Sequence, residues 1–133
     1  IAYTGVIGKS GKELRYLLSG GQVHTKSRFA TPILRHSFIR RAYRHLRGGM
    51  DISDGLFSDI GKLCDSNRIG VRFSRKIAKN VGCSGEEYEM LIAFSPRNLK
   101  TIRRLGALTR TPIVPVAQVV RGKYTHCCKA HHF

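Results

Sequence analysis

The stretch from residue 88 to residue 120 constrains the fold more than any other part of the chain. An apolar run ends at Phe94, Ser95-Pro96 then begins a helical pattern, and a second apolar run occupies residues 113–120. Strand, helix and strand in that order form a crossover unit, which packs a helix against a sheet. The chain has 133 residues, enough for the core of a single domain. We therefore expect an α+β domain with a small mixed or antiparallel sheet flanked by helices.

Earlier segments of the chain supply further strands and a short helix. Residues 1–4 are typical of a strand, and apolar residues alternate over residues 69–73 as they would in a second strand. Ser10 and Glu13 have the spacing of a capping box, in which each side chain binds a free backbone N–H of the other. This spacing predicts a short helix beginning near Ser10.

A longer helix is predicted from Thr31 to Arg47, where apolar residues recur at intervals of four, and Gly48-Gly49 should end it. The opposite side of this helix would be basic, with Arg35, His36, Arg40, Arg41, Arg44, His45 and Arg47. Basic amphipathic helices can bind nucleic acid or anionic lipid. More often such a basic side is simply solvated.

The acidic residues are confined to the middle of a strongly basic chain. The formal net charge is +16, yet residues 51–89 hold seven of the eight Asp and Glu residues, and residues 90–133 hold none. Carboxylates are preferred ligands of divalent cations, and flanking Lys and Arg attract polyanions. The charge pattern therefore favours a functional site within residues 51–89.

The richest part of that segment is Asp51-Ile52-Ser53-Asp54, just before a predicted helix. Ser53 has the side chain of a natural N-cap, and free N–H groups at a helix start favour a phosphate. Asp51 and Asp54 beside a phosphate would form half of a magnesium–nucleotide site. The alternative is that Ser53 and Asp54 only cap the helix.

The four cysteines have no framework spacing, which favours reduced thiols.

The sequence also bears on where the protein is located. No apolar run is long enough to span a membrane, so we expect a cytoplasmic protein. Since the chain begins without Met at a strand-like segment, we also expect a fragment of a larger protein. Near the C-terminus lie several residues of metal-ligand type, in a spacing that matches no closed zinc site: His126, Cys127, Cys128, His131 and His132.

Four motifs in sequence order carry a family resemblance. Residues 50–56 read Met-Asp-Ile-Ser-Asp-Gly-Leu and residues 59–61 read Asp-Ile-Gly. Residues 4–8 form a Thr-Gly-x-x-Gly turn, residues 84–90 read Ser-Gly-Glu-Glu-Tyr-Glu-Met, and residues 132–133 are His-Phe. These motifs resemble those of thiamine-monophosphate kinases, in the superfamily typified by aminoimidazole ribonucleotide synthetase. The resemblance implies a partly ferredoxin-like fold of the PurM C-terminal-like type.

The resemblance also implies an activity. Kinases of this family use ATP and Mg²⁺ to convert thiamine monophosphate to thiamine diphosphate, by direct attack of a substrate phosphate oxygen on the γ-phosphorus. Carried over by motif, Asp51 and Asp54 would bind Mg²⁺, Ser53 would contact ATP, and Glu86 would contact the thiamine moiety. No catalytic residue is assigned with these motifs.

Two departures and a difference in length qualify the resemblance. The family has Gly-Asp-Ser where this chain has Gly8-Lys9-Ser10, and an aromatic residue where this chain has Ala130, so Tyr124 or Phe133 would have to stack on thiamine. The family also carries a preceding domain with most of the metal-binding aspartates. Residues 1–133 would then be the C-terminal half of a two-domain kinase, inactive alone, and the full-length protein a homodimer.

Two other functions remain open from the sequence. One is a basic nucleic-acid-binding module that shares the fold, and the other is a superfamily member acting on a different phosphorylated or carbamoylated substrate. Aromatic residues that could stack on bases are few on the predicted basic helix, with Phe38 and Tyr43 expected to face inward. Nucleic acid is therefore not an expected partner, and neither is a membrane.

Overall fold

The computed structural model describes residues 1–27, 29–126 and 128. Its strands are β1 Ala2–Thr4, β2 Leu46–Asp51, β3 Gly70–Phe73, β4 Met90–Phe94, β5 Ile113–Pro115 and β6 Ala117–Val120. Its helices are α1 Ser10–Leu18, α2 His36–Ala42, α3 Leu56–Asn67, α4 Lys79–Gly82 and α5 Leu99–Leu108, with 3-10 turns at Tyr43–His45 and Pro96–Asn98. None of the helices in the described residues is long and apolar enough to cross a bilayer.

Four strands form the main sheet, in the order β2-β4-β1-β5, and every neighbouring pair is antiparallel. Because β4 and β5 are both antiparallel to β1, they run parallel to each other, and α5 connects them. The crossover unit predicted from the sequence is therefore present, with β1 inserted between its two strands. β3 and β6 pair separately as a two-stranded antiparallel sheet. The predicted α+β class with helices flanking a small sheet is confirmed.

The core lies on both faces of the main sheet. Leu91 and Ile92 are neighbours in β4, and strand geometry sends their side chains to opposite faces. Leu91 packs with Ile60 of α3, whereas Ile92 packs with Phe38 of α2 and Ile102 of α5. Full burial of each such side chain stabilises the fold by roughly 1.5–3 kcal/mol. The sheet therefore carries α3 on one face and the pair α2 and α5 on the other.

Two predicted boundaries are wrong. The helix expected over residues 31–47 is limited to α2 and the following 3-10 turn, and Gly48-Gly49 lies inside β2, paired with β4. A Cβ on Gly49 would approach the Leu91 carbonyl oxygen to 3.1 Å, so glycine allows close strand pairing there. The single strand expected over residues 113–120 divides between the two sheets at Val116, whose N–H donates to the Ile1 carbonyl.

The start of α1 is predicted correctly, but its capping is not. Ser10 is the first helical residue and Lys9 occupies the N-cap position, without a side-chain cap. Instead of closing a capping box, the Glu13 Oε2 atom accepts a hydrogen bond of 3.0 Å from the N–H of Phe29. Glu13 thus ties the loop after α1 back to the helix.

A disulfide joins Cys83, at the end of α4, to Cys128, with a Cα–Cα distance of 5.5 Å. The expectation of reduced thiols is wrong for this pair, which lies too far apart in sequence for spacing to indicate it. Cys64 is a buried free thiol on α3, and burial, followed by the charge of Asp65, raises its pKa. Cys128 is occupied by the disulfide, while Cys127, His131 and His132 lie outside the described residues.

Candidate active site

A cleft of about 210 Å³ lies between α1 and two loops, one before α3 and one after α4. One wall is the side of α1 that carries Gly11, Leu14, Arg15 and Leu18. The opposite wall consists of Ser53, Asp54, Cys83, Ser84, Gly85 and Glu86. The cleft therefore brings together three of the four predicted site residues, namely Ser53, Asp54 and Glu86.

Backbone hydrogen bonds fix the two loops of this wall to each other. The N–H of Glu86 donates to the Ser53 carbonyl at 2.7 Å, and the N–H of Tyr88 donates to the Ile52 carbonyl at 3.0 Å. The N–H of Ile52 in turn donates to the Glu89 carbonyl at 2.7 Å. These bonds continue the pairing of β2 with β4, so the sheet itself sets the positions of Ser53 and Glu86.

The loop before β4 has an unusual backbone. Glu86 (φ 57°) and Tyr88 (φ 52°) both lie in the left-handed region, which is uncommon outside glycine. Gly85 lies so close to the other loop that a Cβ would approach the Ser53 carbonyl oxygen to 2.9 Å. In this loop Glu87 and Glu89 are buried, Glu86 is partly exposed and Tyr88 is exposed. Such backbone outliers cluster at functional sites.

Asp59 anchors the other loop, although no role was predicted for it. Its Oδ2 atom accepts hydrogen bonds from the N–H groups of Ser53 (3.0 Å) and Asp54 (3.1 Å), and the residue is fully buried. The ammonium of Lys62 bridges Asp59 Oδ1 at 2.6 Å and Asp54 Oδ2 at 2.5 Å. The hydrogen bonds to Asp54 and then Asp59 raise the pKa of Lys62. The available signal was the presence of Asp59 in the recognised Asp-Ile-Gly segment.

The prediction that Ser53 caps the helix is wrong. α3 begins at Leu56, and the position before it is Gly55, whose φ of 105° places it in a region that favours glycine. Within the described part of the chain, no side chain caps this helix. Ser53 lies outside the first turn, and its backbone groups bind Asp59 and Glu86 instead. The loop before α3 is thus held by Asp59, a residue inside the helix, rather than by a cap at the helix start.

Asp51 lies apart from the other predicted residues. It ends β2, where it pairs with Met90, and its side chain is exposed and does not line the cleft. Its charge still reaches the neighbouring loop, because it contributes to the raised pKa of Tyr88. The main cause of that raised pKa is the hydrogen bond that the Tyr88 hydroxyl donates to Glu86 Oε2, followed by burial and the charge of Glu86.

Glu89 forms a buried ion pair behind the cleft. Arg35 Nε donates to Glu89 Oε2 at 2.8 Å and Arg35 Nη2 donates to Glu89 Oε1 at 2.7 Å, a bidentate arrangement. The Thr4 hydroxyl adds a third hydrogen bond to Oε2 at 2.8 Å. Gly5 must lack a side chain, since a Cβ there would lie 1.8 Å from Glu89 Oε1. The Thr-Gly turn and the loop before β4 are thereby locked together.

Glu87 connects the same two motifs at a second point. Its Oε1 atom accepts hydrogen bonds from the N–H of Gly8 at 2.7 Å and from the Ser84 hydroxyl at 2.6 Å. Within the described residues, the other oxygen of Glu87 and the buried Ser10 hydroxyl have no hydrogen-bond partner. Three of the four recognised motifs therefore meet around the cleft, and the fourth, His132-Phe133, lies outside the described residues.

Among the described residues, no aromatic side chain lines the cleft. Tyr124 lines a different groove, where its ring centroid lies 5.9 Å from that of Phe73 and 6.4 Å from that of His126. Ala130 and Phe133 lie outside the described residues. In the described part of the chain, apolar contact within the cleft comes from Leu14 and Leu18 of α1.

The carboxylates fit part of a magnesium site. Among the described residues, no group of three or more His, Cys, Asp and Glu side chains is placed to hold a metal ion. Mg²⁺ is usually bound through one or two carboxylates, with phosphate and water oxygens completing the octahedron. Asp54, half-exposed at the cleft, and Asp51, exposed nearby, can supply those carboxylates but not a complete site.

The fold is that of a known class of α+β domains. The sequence matches no protein-family profile. PurL of Thermotoga maritima, solved in complex with ATP, superposes with a TM-score of 0.65 at 16% identity, over 91% of this chain and 21% of PurL. A Thermus thermophilus protein superposes with a TM-score of 0.76 at 20% identity, over 92% of this chain and 46% of that one. At these identities the likeness shows the fold.

More specific similarity is to thiamine-monophosphate kinases. AaThiL, solved with AMPPCP and TMP, superposes with a TM-score of 0.69 at 16% identity, over 92% of this chain and 45% of AaThiL. The thiamine-monophosphate kinase of Nitrosopumilus maritimus (strain SCM1) is 29% identical over 94 residues, which are 60% of this chain and 30% of that kinase. These matches confirm the resemblance predicted from the motifs. The chain spans less than half the length of these relatives.

Proposed function

We propose that this chain is the C-terminal domain of an ATP-dependent kinase that converts thiamine monophosphate to thiamine diphosphate. The observation that carries the proposal is the single cleft wall in which two separate motifs place Ser53, Asp54 and Glu86 together. The similarity to thiamine-monophosphate kinases supports it. Because the cleft offers an incomplete set of metal ligands, a preceding domain would supply the rest, and this chain alone would be inactive. The full-length kinase would act as a homodimer.

The residues of the wall can divide the work of binding. Asp54, together with Asp51, would hold Mg²⁺, which when bound neutralises charge on the phosphate oxygens. Lys62 orients the Asp54 carboxylate, and buried Asp59 holds the backbone of both Ser53 and Asp54 in place. Ser53 would then present its hydroxyl to ATP from a loop that is already fixed.

The remaining residues of the cleft, Glu86 and the facing side of α1, suit the thiamine half of the substrate. The thiazolium ring of thiamine is positively charged, and Glu86 offers a carboxylate whose position is set by Tyr88. Leu14 and Leu18 supply an apolar wall against which a flat ring can pack. Arg15 adds a cation suited to a phosphate oxygen.

The reaction needs little covalent chemistry from this chain. A phosphate oxygen of thiamine monophosphate forms a bond to the γ-phosphorus of ATP, the bond from that phosphorus to the β–γ bridging oxygen breaks, and ADP leaves. In such transfers most of the catalysis is positioning and charge neutralisation. A rigid wall built by backbone hydrogen bonds between two loops provides that positioning.

The test uses the full-length kinase that contains this chain, with ATP consumption measured in the presence of thiamine monophosphate. We expect Asp54→Asn to lower kcat about 100-fold, because charge stabilisation of the transferred phosphoryl group is lost. Glu86→Gln should mainly raise KM for thiamine monophosphate, about tenfold, because a charge-assisted contact is lost. Asp65→Asn, an exposed carboxylate on α3 away from the cleft, is the matched control and should retain normal rates.

Normal kinetics in both cleft variants would contradict the proposal. Asp51→Asn tests a separate point, because Asp51 lies outside the cleft walls. A loss comparable with that of Asp54→Asn is expected if both carboxylates share one metal ion. A normal rate would remove Asp51 from the proposed site and leave Asp54 in it.

A further inference from the structure

The surface formed by α2 and α5 differs from the rest of the molecule. The two helices pack against each other on one face of the main sheet, where Phe38, Ala42 and Ile102 are buried. Their outer sides face solvent and carry what we call the basic face. It consists of six exposed cations, Arg40, Arg41, Arg44, Lys100, Arg103 and Arg104.

Helical geometry groups these cations into two stripes. On α5, Lys100, Arg103 and Arg104 are spaced at i, i+3 and i+4, which places them on one side of the helix. Arg40 and Arg41 lie in the last turn of α2, and the 3-10 turn that follows carries Arg44. Because the helices pack against each other, the two stripes lie on the solvent side of one helix pair. Nucleic acid was not an expected partner from the sequence, which did not indicate that these two helices meet.

Negative charge that could neutralise this surface is lacking. All eight Asp and Glu residues of the sequence lie within the described residues, and none is on α2, on α5 or after Glu89. Three of them, Asp59, Glu87 and Glu89, are buried. The ion pairs of the described residues join Arg35 to Glu89 and Lys62 to its two aspartates, so they leave the basic face unpaired. A polyanion would relieve the repulsion among these cations.

The shape of the surface favours an extended anion. An open groove of about 420 Å³ runs along α5 and past its end, and it is lined by Arg103 of the basic face and by Arg110. An open groove does not enclose a small anion, whereas a chain of phosphates can follow it. On α2, its following 3-10 turn and α5, the large apolar side chains that are exposed are Tyr43 and Leu108. Two such residues do not form the continuous apolar side that an interfacial membrane helix requires.

We propose that the basic face binds the phosphodiester backbone of a duplex nucleic acid without regard to sequence. Rigid helices with regularly spaced cations match a rigid array of phosphates, and Tyr43 alone offers little stacking surface for single-stranded bases. This binding is independent of the proposed kinase reaction, because the cleft is built from α1, α3 and the loops beside them. Loss of one function would therefore leave the other unchanged.

The test measures binding of the full chain to a fluorescent duplex DNA of about 20 base pairs across a range of salt concentrations. The triple variant Arg41→Gln, Arg103→Gln, Arg104→Gln should reduce the slope of log Kd against log salt by about 3, since each lost phosphate contact removes about 0.9. A control triple variant, Arg72→Gln, Lys76→Gln, Lys79→Gln, removes the same charge from exposed positions elsewhere. Its slope should stay close to that of the parent chain.

Several outcomes would overturn the proposal. Equal reductions in both triple variants would show that net charge alone drives binding, and tighter binding to a single strand of equal length would favour base contacts instead. Preferential binding to phosphatidylserine vesicles would assign the face to a membrane. A duplex RNA of the same sequence should bind with a similar slope, because the backbone is the ligand. Circular dichroism of both variants checks that the fold is retained.

Discussion

The carboxylates beneath the cleft and those at its surface perform opposite tasks, although they lie side by side in the sequence. Asp59, Glu87 and Glu89 are buried, and each accepts hydrogen bonds from the protein itself. Asp54 and Glu86 are accessible at the cleft wall. A single acidic segment thus supplies both the support of the site and the groups left for a ligand.

Burial determines which task a carboxylate performs. Removing a carboxylate from water is costly unless a cation or several hydrogen bonds compensate, so a buried carboxylate binds its protein partners strongly. A solvent-exposed carboxylate gains little from an ion pair and can exchange one partner for another. Substitutions should therefore reduce stability in the buried set and spare it in the accessible set.

The largest effect is expected for Glu89→Gln. This change leaves the Arg35 guanidinium buried without its counter-charge, and breaking a buried ion pair typically costs about 3–5 kcal/mol. The free energy of unfolding from urea titration measures the loss. Replacing both residues with methionine should recover much of it, because an apolar pair needs no compensation. A loss below about 1 kcal/mol in Glu89→Gln would contradict the ion-pair argument.

Gly5→Ala should be the next most damaging change. The new Cβ would lie 1.8 Å from Glu89 Oε1 at a backbone φ of +65°, so both strain and a clash oppose it. We expect a loss of about 2–3 kcal/mol in the free energy of unfolding. Gly20→Ala is the matched control, because Gly20 has a φ of +87° with no neighbouring atom within 4 Å. Equal losses in the two variants would show that the clash with Glu89 does not matter.

Asp59→Asn should lower the free energy of unfolding by an intermediate amount, about 1–3 kcal/mol. The neutral amide cannot replace all the hydrogen bonds and the ion pair with Lys62. The same variant should speed amide hydrogen exchange at Ser53 and Asp54, which reports the loop directly. Asp65→Asn on the exposed side of α3 serves as the control and should change neither quantity. Unchanged exchange at Ser53 would remove Asp59 from its anchoring role.

Asp54→Asn and Glu86→Gln should each change the free energy of unfolding by no more than about 0.5 kcal/mol. Both side chains are accessible at the cleft, so water can replace their protein partners. Urea titration beside the Glu89 variant makes the comparison direct. A loss as large as that of Glu89→Gln would mean that the accessible set also supports the fold.

The smallest effect concerns Tyr88 and pH. The hydrogen bond to Glu86 raises the pKa of Tyr88 in the folded protein. The stabilisation of the fold by this hydrogen bond is therefore fully present below the ordinary tyrosine pKa, and it is lost as pH rises through the raised pKa of the folded state. The absorbance of tyrosinate during alkaline titration should show a late-titrating group that Tyr88→Phe removes. Glu86→Gln should move that group to lower pH, and an unchanged titration would rule out the contact.

The sequence predicted those parts of the fold that local pattern determines. The apolar periods around α5 and β4 were read correctly, because both elements repeat their pattern over their full length. The boundary between α2 and β2 was missed, since Leu46 continues the four-residue spacing of Phe38 and Ala42 but begins a strand. Pairing with β4, more than forty residues later, overrides that spacing.

The candidate site was predicted in part for a similar reason. Motif resemblance selected Ser53, Asp54 and Glu86, and the structure places them on one wall. The motif resemblance could not show that Asp59 holds the loop before α3, because that role depends on burial and on backbone N–H groups turned toward α3. The pairing of Cys83 with Cys128 was equally hidden, since it depends on how the chain returns to the end of α4.

The central position of β1 has a consequence for synthesis on the ribosome. β1 emerges before both of its neighbours, β4 and β5, whose residues follow about ninety and one hundred and ten positions later. During translation both edges of β1 therefore lack their hydrogen-bonding partners, and exposed strand edges of this kind promote association with other nascent chains. β5 is the last strand of the main sheet to be synthesised. A ribosome that stalls before residue 113 therefore leaves one edge of β1 unpaired and the product prone to aggregation.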